Sequence, residues 1–374
     1  MSDHRNQEFT KFDPPIEAYL LKHPKKINTI WAEKILGLHF SHPRVEALRI
    51  TNIDIGTTTR IHLEVHHNGP SHIPRKWFIK IPSLSFRARW ITILPQLLQM
   101  EIRFYQDLSP LIPLLHPTSL FAGKSFWGGT TLVLEDIQEN QGRAGSPMNS
   151  LNEDEVYLMV ESLGKMHRKF WNRRYLEEKY DWLEGKVRRL EDMLGSFLAK
   201  PLMKRGIRKA GKIIPKELYP LAIKYAKHRK RIMAYLHAAP LTLVHHDCHP
   251  GNLFWKENQP GLLDWQLVRL GEGIGDIAYL LATCLAPSLR KKIEKDLVKT
   301  YGAVLAGPEV SQKYLEGLFE RYQLHLAYPF EAMVVTLAIG GMMDTEANLE
   351  LLSRSSQALL DNESLARLEH VLLK

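Results

Sequence analysis

Residues 243–281 read LVHHDCHPGNLFWKENQPGLLDWQLVRLGEGIGDIAYLL. Three apolar runs end in polar groups: Leu243-Val244 before HHDCHPGN, Gly261–Leu263 before Asp264-Trp265, and Ile277–Leu281 behind Gly275-Asp276. Short apolar runs of this kind read as buried strands and a core helix that deliver polar side chains to a cleft. The pattern predicts that Asp247, Asn252 and Asp264 form the centre of a reactive site.

The chemistry these residues can perform is limited. Asp247 and Asn252 lie five apart around Pro250-Gly251, which permits a tight bend. A carboxylate (Asp264) and an amide oxygen (Asn252) are hard ligands suited to Mg²⁺, which takes one or two protein groups and completes its shell with phosphate oxygens and water. Asp247 is then free to orient or deprotonate a hydroxyl or amine acceptor. A zinc hydrolase would use the run His245, His246, Asp247, Cys248 and His249 differently. Five adjacent donors cannot all face one ion, and there is no His-x-x-x-His helix to complete a site.

The order and spacing resemble the aminoglycoside phosphotransferase and choline kinase branch of the protein-kinase-like fold, nearest to its ecdysteroid-kinase-like members. The pattern is His-Gly-Asp with Asn five residues on, an apolar strand ending in Asp-Trp, then Gly-Asp opening an apolar helix. It stands here as His245-His246-Asp247, Asn252, Leu262–Gln266 and Gly275–Tyr279. The resemblance implies an α+β bilobal fold: a small N-lobe with an antiparallel sheet and one key helix, and a larger, mainly helical C-lobe. It implies transfer of the γ-phosphate of ATP, Mg²⁺-assisted, to a hydroxyl or amine of a small molecule, and leaves GTP open. Asp247 is then the base, Asn252 and Asp264 the metal ligands, and His245 and Asp276 supports of the loop. Capping of the helix at Ile277 is an alternative task for Asp276.

The resemblance also orders the first part of the chain. Val45–Ile55, Thr59–His66 and Lys76–Pro82 show the alternation of three antiparallel strands. Lys80 on the third strand takes the place of the phosphate-binding lysine, and Glu101, in the helix expected over 94–109, that of its partner. Gly56, Thr57 and Thr58 fall where the phosphate-covering loop belongs. Backbone groups of Glu135 to Ile137, ending the strand Thr130–Ile137, would bind adenine. The turn-rich residues between 113 and 129 suggest no further strand. Lobes of 1–137 and 138–374 follow, with 1–44 a helical cap. Two departures stand out: His246 replaces the glycine, and Gly56 is the only glycine in the phosphate loop.

Other features bound the answer. Two cysteines, Cys248 and Cys284, provide no disulfide framework, and the polar start carries no signal peptide, so a cytoplasmic location is expected. The longest apolar stretches are too short to span a membrane. The net charge is +9, with much of the excess in 186–231. That segment suggests solvated helix faces or an anionic partner, but lacks a nucleic-acid-binding pattern. Helices are expected at Leu289–Leu305, Ser311–Tyr328, Glu331–Leu352 and Ser356–Leu373. The acceptor could be a neutral or amphipathic alcohol, choline or ethanolamine, or an aminoglycoside or macrolide. Tyr157, Phe170, Trp171, Tyr175, Trp182, Tyr322, Tyr328 and Phe330 are candidates for an aromatic acceptor wall. A binding-only kinase-like module is the reading from another class, and the presence of Lys80, Asp247, Asn252 and Asp264 argues against it.

Overall fold

A computed structural model describes residues 15–85, 97–125, 129–172 and 174–373. Expectations for the first 14 residues, for the start of the 94–109 helix, for the turn at Gly128 and for the Tyr175 side chain lie outside the described residues. The described residues form two compact units, those within Met1–Arg89 and Pro117–Glu139, and those within Trp90–His116 and Asn140–Lys374.

The first unit is built on a five-stranded antiparallel sheet. Its strands are β1 (Val45–Ile55), β2 (Thr58–His67), β3 (Lys76–Pro82), β4 (Ser119–Lys124) and β5 (Thr130–Glu135), in the order β1-β2-β3-β5-β4. The alternation in β3 puts Trp77, Ile79 and Ile81 on one fully buried face. They pack with Ile61, Leu63 and Val65 of β2 and with Trp31, Ile35 and Leu36 of the helix Thr29–Leu36. Each such side chain contributes about 1.5–3 kcal/mol when fully buried. Asn28 caps that helix by accepting from the Trp31 amide at 2.9 Å. Edge strand β1 is mostly exposed, carries two register shifts and pairs Arg49 with Glu64 across to β2. Strand β4 is absent from the sequence reading, because Pro113, Pro117 and Gly123 resemble turn punctuation. Gly123 instead sits inside the strand, where a Cβ would meet the Phe121 ring at 2.2 Å.

The second unit is mainly helical. Asn152 and Glu155 form a capping box on the helix Glu153–Lys169. The helix Lys186–Ala210 runs through Pro201 and Gly206 without ending, and packs against Leu218–His237 and Ala327–Ile339. At Gly206 a Cβ would lie 2.4 Å from the Val334 carbonyl oxygen, so the close helix crossing requires glycine. The helix expected over 331–352 is two helices, Ala327–Ile339 and Thr345–Asp361. Gly340 and Gly341 separate them with φ of 79° and 74°, a conformation glycine adopts freely. The stretch 311–328 likewise divides, at Gly317, into Gln312–Glu316 and Leu318–His325.

Two small sheets hold the central stretch: β7 (Thr242–Val244) with β10 (Arg269–Gly271), and β6 (Arg143–Ala144) with β8 (Leu253–Lys256) and β9 (Gln259–Leu262). The helix Ile274–Cys284 behind them is buried at nearly every position. Residues 97–116, assigned to the N-terminal lobe from sequence, group with this second unit. The cause is packing: the Phe104 ring stacks on Trp265 at 4.1 Å and 7°. The helix Leu97–Arg103 passes into a π turn over Phe104–Leu108, which turns both Phe104 and Tyr105 inward. No helix among the described residues is long and apolar enough to cross a membrane.

Candidate active site

Asp276 is the anchor of the loop after β7. It lies in the first turn of the helix Ile274–Cys284, which begins two residues before it, so it does not cap that helix. Its buried carboxylate accepts from the His245 amide at 2.7 Å, the His246 amide at 2.8 Å and His167 Nε2 at 3.3 Å. His167 in turn faces the Tyr301 hydroxyl at 3.1 Å. The backbone entering the loop is therefore fixed from the helix side.

His245 fixes the loop from the inside. Its Nδ1 accepts from the Asp247 amide at 3.3 Å and its Nε2 donates to the Leu263 carbonyl at 2.8 Å. That bonding requires the neutral ring, and burial lowers its pKa against the pull of Asp276 and Asp247. The Leu263 amide donates to the Asn252 carbonyl at 2.8 Å, which ties the strand end before Asp264 to the loop. Asp264 itself takes φ 60° and ψ 66°, a left-handed conformation costly for a non-glycine residue. Trp265, stacked on Phe104 and edge-on to His245, holds it there.

The Asp247 carboxylate is held at both oxygens. Asn252 Nδ2 donates to Oδ2 at 3.0 Å and also to the Asp247 carbonyl at 3.0 Å. The Tyr279 hydroxyl donates to Oδ1 at 2.7 Å. Burial, and then the negative charge of Asp247, raise the Tyr279 pKa well above its usual value, so it remains a donor. Tyr279 carries no signal in the sequence beyond one aromatic in an apolar helix, and its role emerges only from the fold. If Asp247 acts in turnover, replacing Tyr279 by Phe should lower it about ten-fold by loosening the Asp247 carboxylate while leaving nucleotide affinity unchanged. Steady-state kinetics beside a nucleotide titration checks this.

The other members of the polar run have separate tasks. His249 Nδ1 accepts from the Gly251 amide at 3.0 Å and caps the 3-10 turn Pro250–Asn252. Cys248 is buried with its thiol pushed well above its usual pKa by burial and by Asp276, and Cys284 Sγ donates to its carbonyl at 3.3 Å. Among the described residues no group of three or more His, Cys, Asp and Glu is placed to hold a metal ion.

His246 has φ 70°, which explains why glycine suits this position. Its ring stacks on Tyr328 at 4.2 Å and 25°, and Tyr328 also meets Tyr279 at 5.8 Å. Burial, then the guanidiniums of Arg269 and Arg188, lower the His246 pKa well below its usual value. Two histidines with depressed pKa values give a signed prediction. Below about pH 6.5 the unfolded chain takes up protons that the folded loop refuses, so stability falls as pH falls. Denaturant unfolding should show stability falling between about pH 7.5 and 5.5, and the fall should be smaller in a His246→Gln variant. Of the other candidate aromatic residues, Phe170, Trp171, Trp182, Tyr322 and Phe330 are buried core, and Tyr157 is partly exposed.

Arg188 is a further residue without a sequence signal. Its buried guanidinium donates to the Gln266 and Val268 carbonyls at 3.0 and 2.7 Å, binding the helix Lys186–Ala210 to the segment after Asp264.

The remaining candidates divide between the units. Lys80 is buried at the middle of β3, opposite Arg60 of β2 and Leu132 of β5. Glu101 is fully buried in the second unit. The β1–β2 turn consists of Gly56 and Thr57, with the Gly56 amide donating to Thr58 O at 3.0 Å. The Thr58 side chain is buried, and the Thr59 hydroxyl accepts from the Leu84 amide at 3.0 Å, so it is turned away from the loop tip. Glu135 ends β5, and Ile137 opens a 3-10 turn, where the first amide has no partner within the turn.

The donor set fits a hard cation. With Nδ2 committed to Asp247, no described residue donates to Asn252 Oδ1. Buried Tyr105 Oη has no hydrogen-bond partner among the described residues. Its pKa is pushed well above the usual value by burial and by the carboxylates of Glu101 and Asp264. Negative charge and an orphan phenol therefore collect where Asp264 enters.

Residues 55–314 match the ecdysteroid kinase-like family. Among solved structures, the choline kinase of Cryptosporidium parvum is similar with a TM-score of 0.51 at 14% identity, over 96% of this chain and 98% of that one. A protein assigned as an aminoglycoside phosphotransferase from Ralstonia eutropha has a TM-score of 0.50 at 16% identity, over 91% and 98%. At these identities the likenesses show the fold, which is the α+β bilobal protein-kinase-like fold. No curated protein sequence matches the chain. The family match spans more than two thirds of the residues, and the chain belongs to the ecdysteroid kinase-like family.

Proposed function

We propose that the protein transfers the γ-phosphate of ATP to a hydroxyl group of a small molecule. The observation that carries this reading is the Asp247 carboxylate, oriented at both oxygens by Asn252 and Tyr279 on a loop clamped by Asp276. A carboxylate so placed can orient the acceptor hydroxyl and take its proton. Lys80 would lie against the nucleotide phosphates with Glu101 as its partner, the Gly56–Thr58 turn would cover them, and backbone groups of Glu135 and Ile137 would meet the base. Mg²⁺, held by Asn252 and Asp264 together with phosphate oxygens, would supply charge neutralisation. Asn252 thus has two tasks: its nitrogen sets the base and leaves its oxygen for the metal.

The group beside Asp247 favours a neutral acceptor. The His246 ring stacks on Tyr328, and burial with the guanidiniums of Arg269 and Arg188 keeps it neutral. A neutral or amphipathic alcohol would find there an aromatic wall with one donor and one acceptor. The test is acceptor-dependent ADP release with Mg-ATP across a panel of neutral alcohols, amino alcohols and aminoglycosides, with GTP in parallel and Asp247→Asn as the blank. Stimulation by neutral alcohols supports the reading. Nucleotide binding without stimulation by any acceptor would favour the binding-only module.

A further inference from the structure

Residues 186–231 carry 15 Lys and Arg against three Asp and Glu, a formal +12 in a chain whose total is +9, so the remainder is net acidic. The catalytic reading uses only Arg188 from this stretch. The excess has a definite place in the fold. The helix Lys186–Ala210 buries Ala199, Met203, Ile207 and Ala210 against its neighbours. An exposed stripe flanking that face, at helical spacings of three and four, is Leu190, Met193, Phe197, Lys200, Lys204 and Arg208. All six are exposed, Met193 at 60% and Phe197 at 79%. One stripe is therefore apolar over its first half and cationic over its second. It spans roughly 27 Å at 1.5 Å per residue.

The flanks continue both characters. Leu198 and Ile213 are further exposed apolar side chains, and Arg205 and Lys212 further exposed cations. None of Lys200, Lys204, Arg205, Arg208 and Lys212 is paired with a carboxylate among the described residues. The helix packed alongside, Leu218–His237, adds exposed Lys227, Lys230 and Arg231.

We infer that this face docks on an anionic membrane surface, with Leu190, Met193 and Phe197 entering the headgroup boundary and the lysines and arginines meeting acidic headgroups. Exposed Phe and Met beside a one-signed cationic field is the composition that seats a helix in a bilayer interface. A nucleic acid would satisfy the cations but offers no burial for Met193 and Leu190. A second copy of the chain would bury the apolar half only by bringing unpaired cations of both copies together. The bilayer accommodates both halves at once.

The experiment is co-sedimentation of the full chain with phosphatidylcholine vesicles, with and without phosphatidylserine, at physiological salt. Binding is expected only with phosphatidylserine, weakening about ten-fold or more at high salt or in Lys200→Glu/Lys204→Glu, by the loss of roughly one interaction per cation. Phe197→Ser/Met193→Ser should weaken it comparably without changing the thermal midpoint, because both side chains are already in water. The wild-type arms decide without the variants: no phosphatidylserine-dependent binding overturns the inference. So does equal binding to neutral vesicles, a concentration-dependent dimer that Phe197→Ser abolishes, or preferential capture by RNA at the same salt.

Discussion

Asp247→Asn is expected to lower turnover by about 10²- to 10⁴-fold while leaving Mg-dependent nucleotide binding nearly intact. The substitution is close to isosteric, and Tyr279 and the Asn252 amide can still meet the new side chain. On the proposed reading, what disappears is the anion that would orient the acceptor hydroxyl and receive its proton. Phosphoryl transfer depends chiefly on positioning and charge neutralisation, so a residual rate is expected from the nucleotide-binding groups alone. Paired turnover and nucleotide titrations separate the effects. A comparable loss in both would assign Asp247 to nucleotide or metal binding instead.

Asp276→Ala should be the most damaging substitution for stability near the site. The carboxylate is buried and satisfies two buried backbone amides as well as His167. Its removal leaves those amides without acceptors, at about 1–3 kcal/mol each, for a total of roughly 2–6 kcal/mol. The loop would also lose its fixed entry, so turnover should fall even in the folded fraction. Asp276→Asn keeps one acceptor oxygen and should fall between. Chemical denaturation of the three proteins gives the order, and equal midpoints would show that the loop is held by His245 and its neighbours instead.

The parts of this structure legible in the sequence are those with local causes. β1, β2 and β3 follow from alternation around the Asn68-Gly69-Pro70 turn, and the helix from Glu153 follows from Asn152 and the acids behind it. The sequence order of Asp247, Asn252, Asp264 and Asp276 could be read because a loop, a strand end and a helix start each leave polar punctuation in an apolar run. Long-range placement left no such mark. Strand β4 was obscured by residues that usually make turns, and the double glycine at 340–341 was overridden by the apolar runs on either side. Residues 97–116 group with the second unit through the Phe104–Trp265 stack, which links positions 161 apart. Tyr279 and Arg188 look like ordinary helix residues until the fold brings Asp247 and the Gln266 carbonyl to them.

The most direct test of the central claim is phosphorus NMR of the wild-type protein with Mg-ATP and the alcohol panel, following where the γ-phosphate goes. The account predicts a new phosphate-ester resonance that grows with ADP, requires a neutral alcohol and is absent with Asp247→Asn. Conversion of the γ-phosphate only to inorganic phosphate, or an ester that forms equally well with Asp247→Asn, would contradict it.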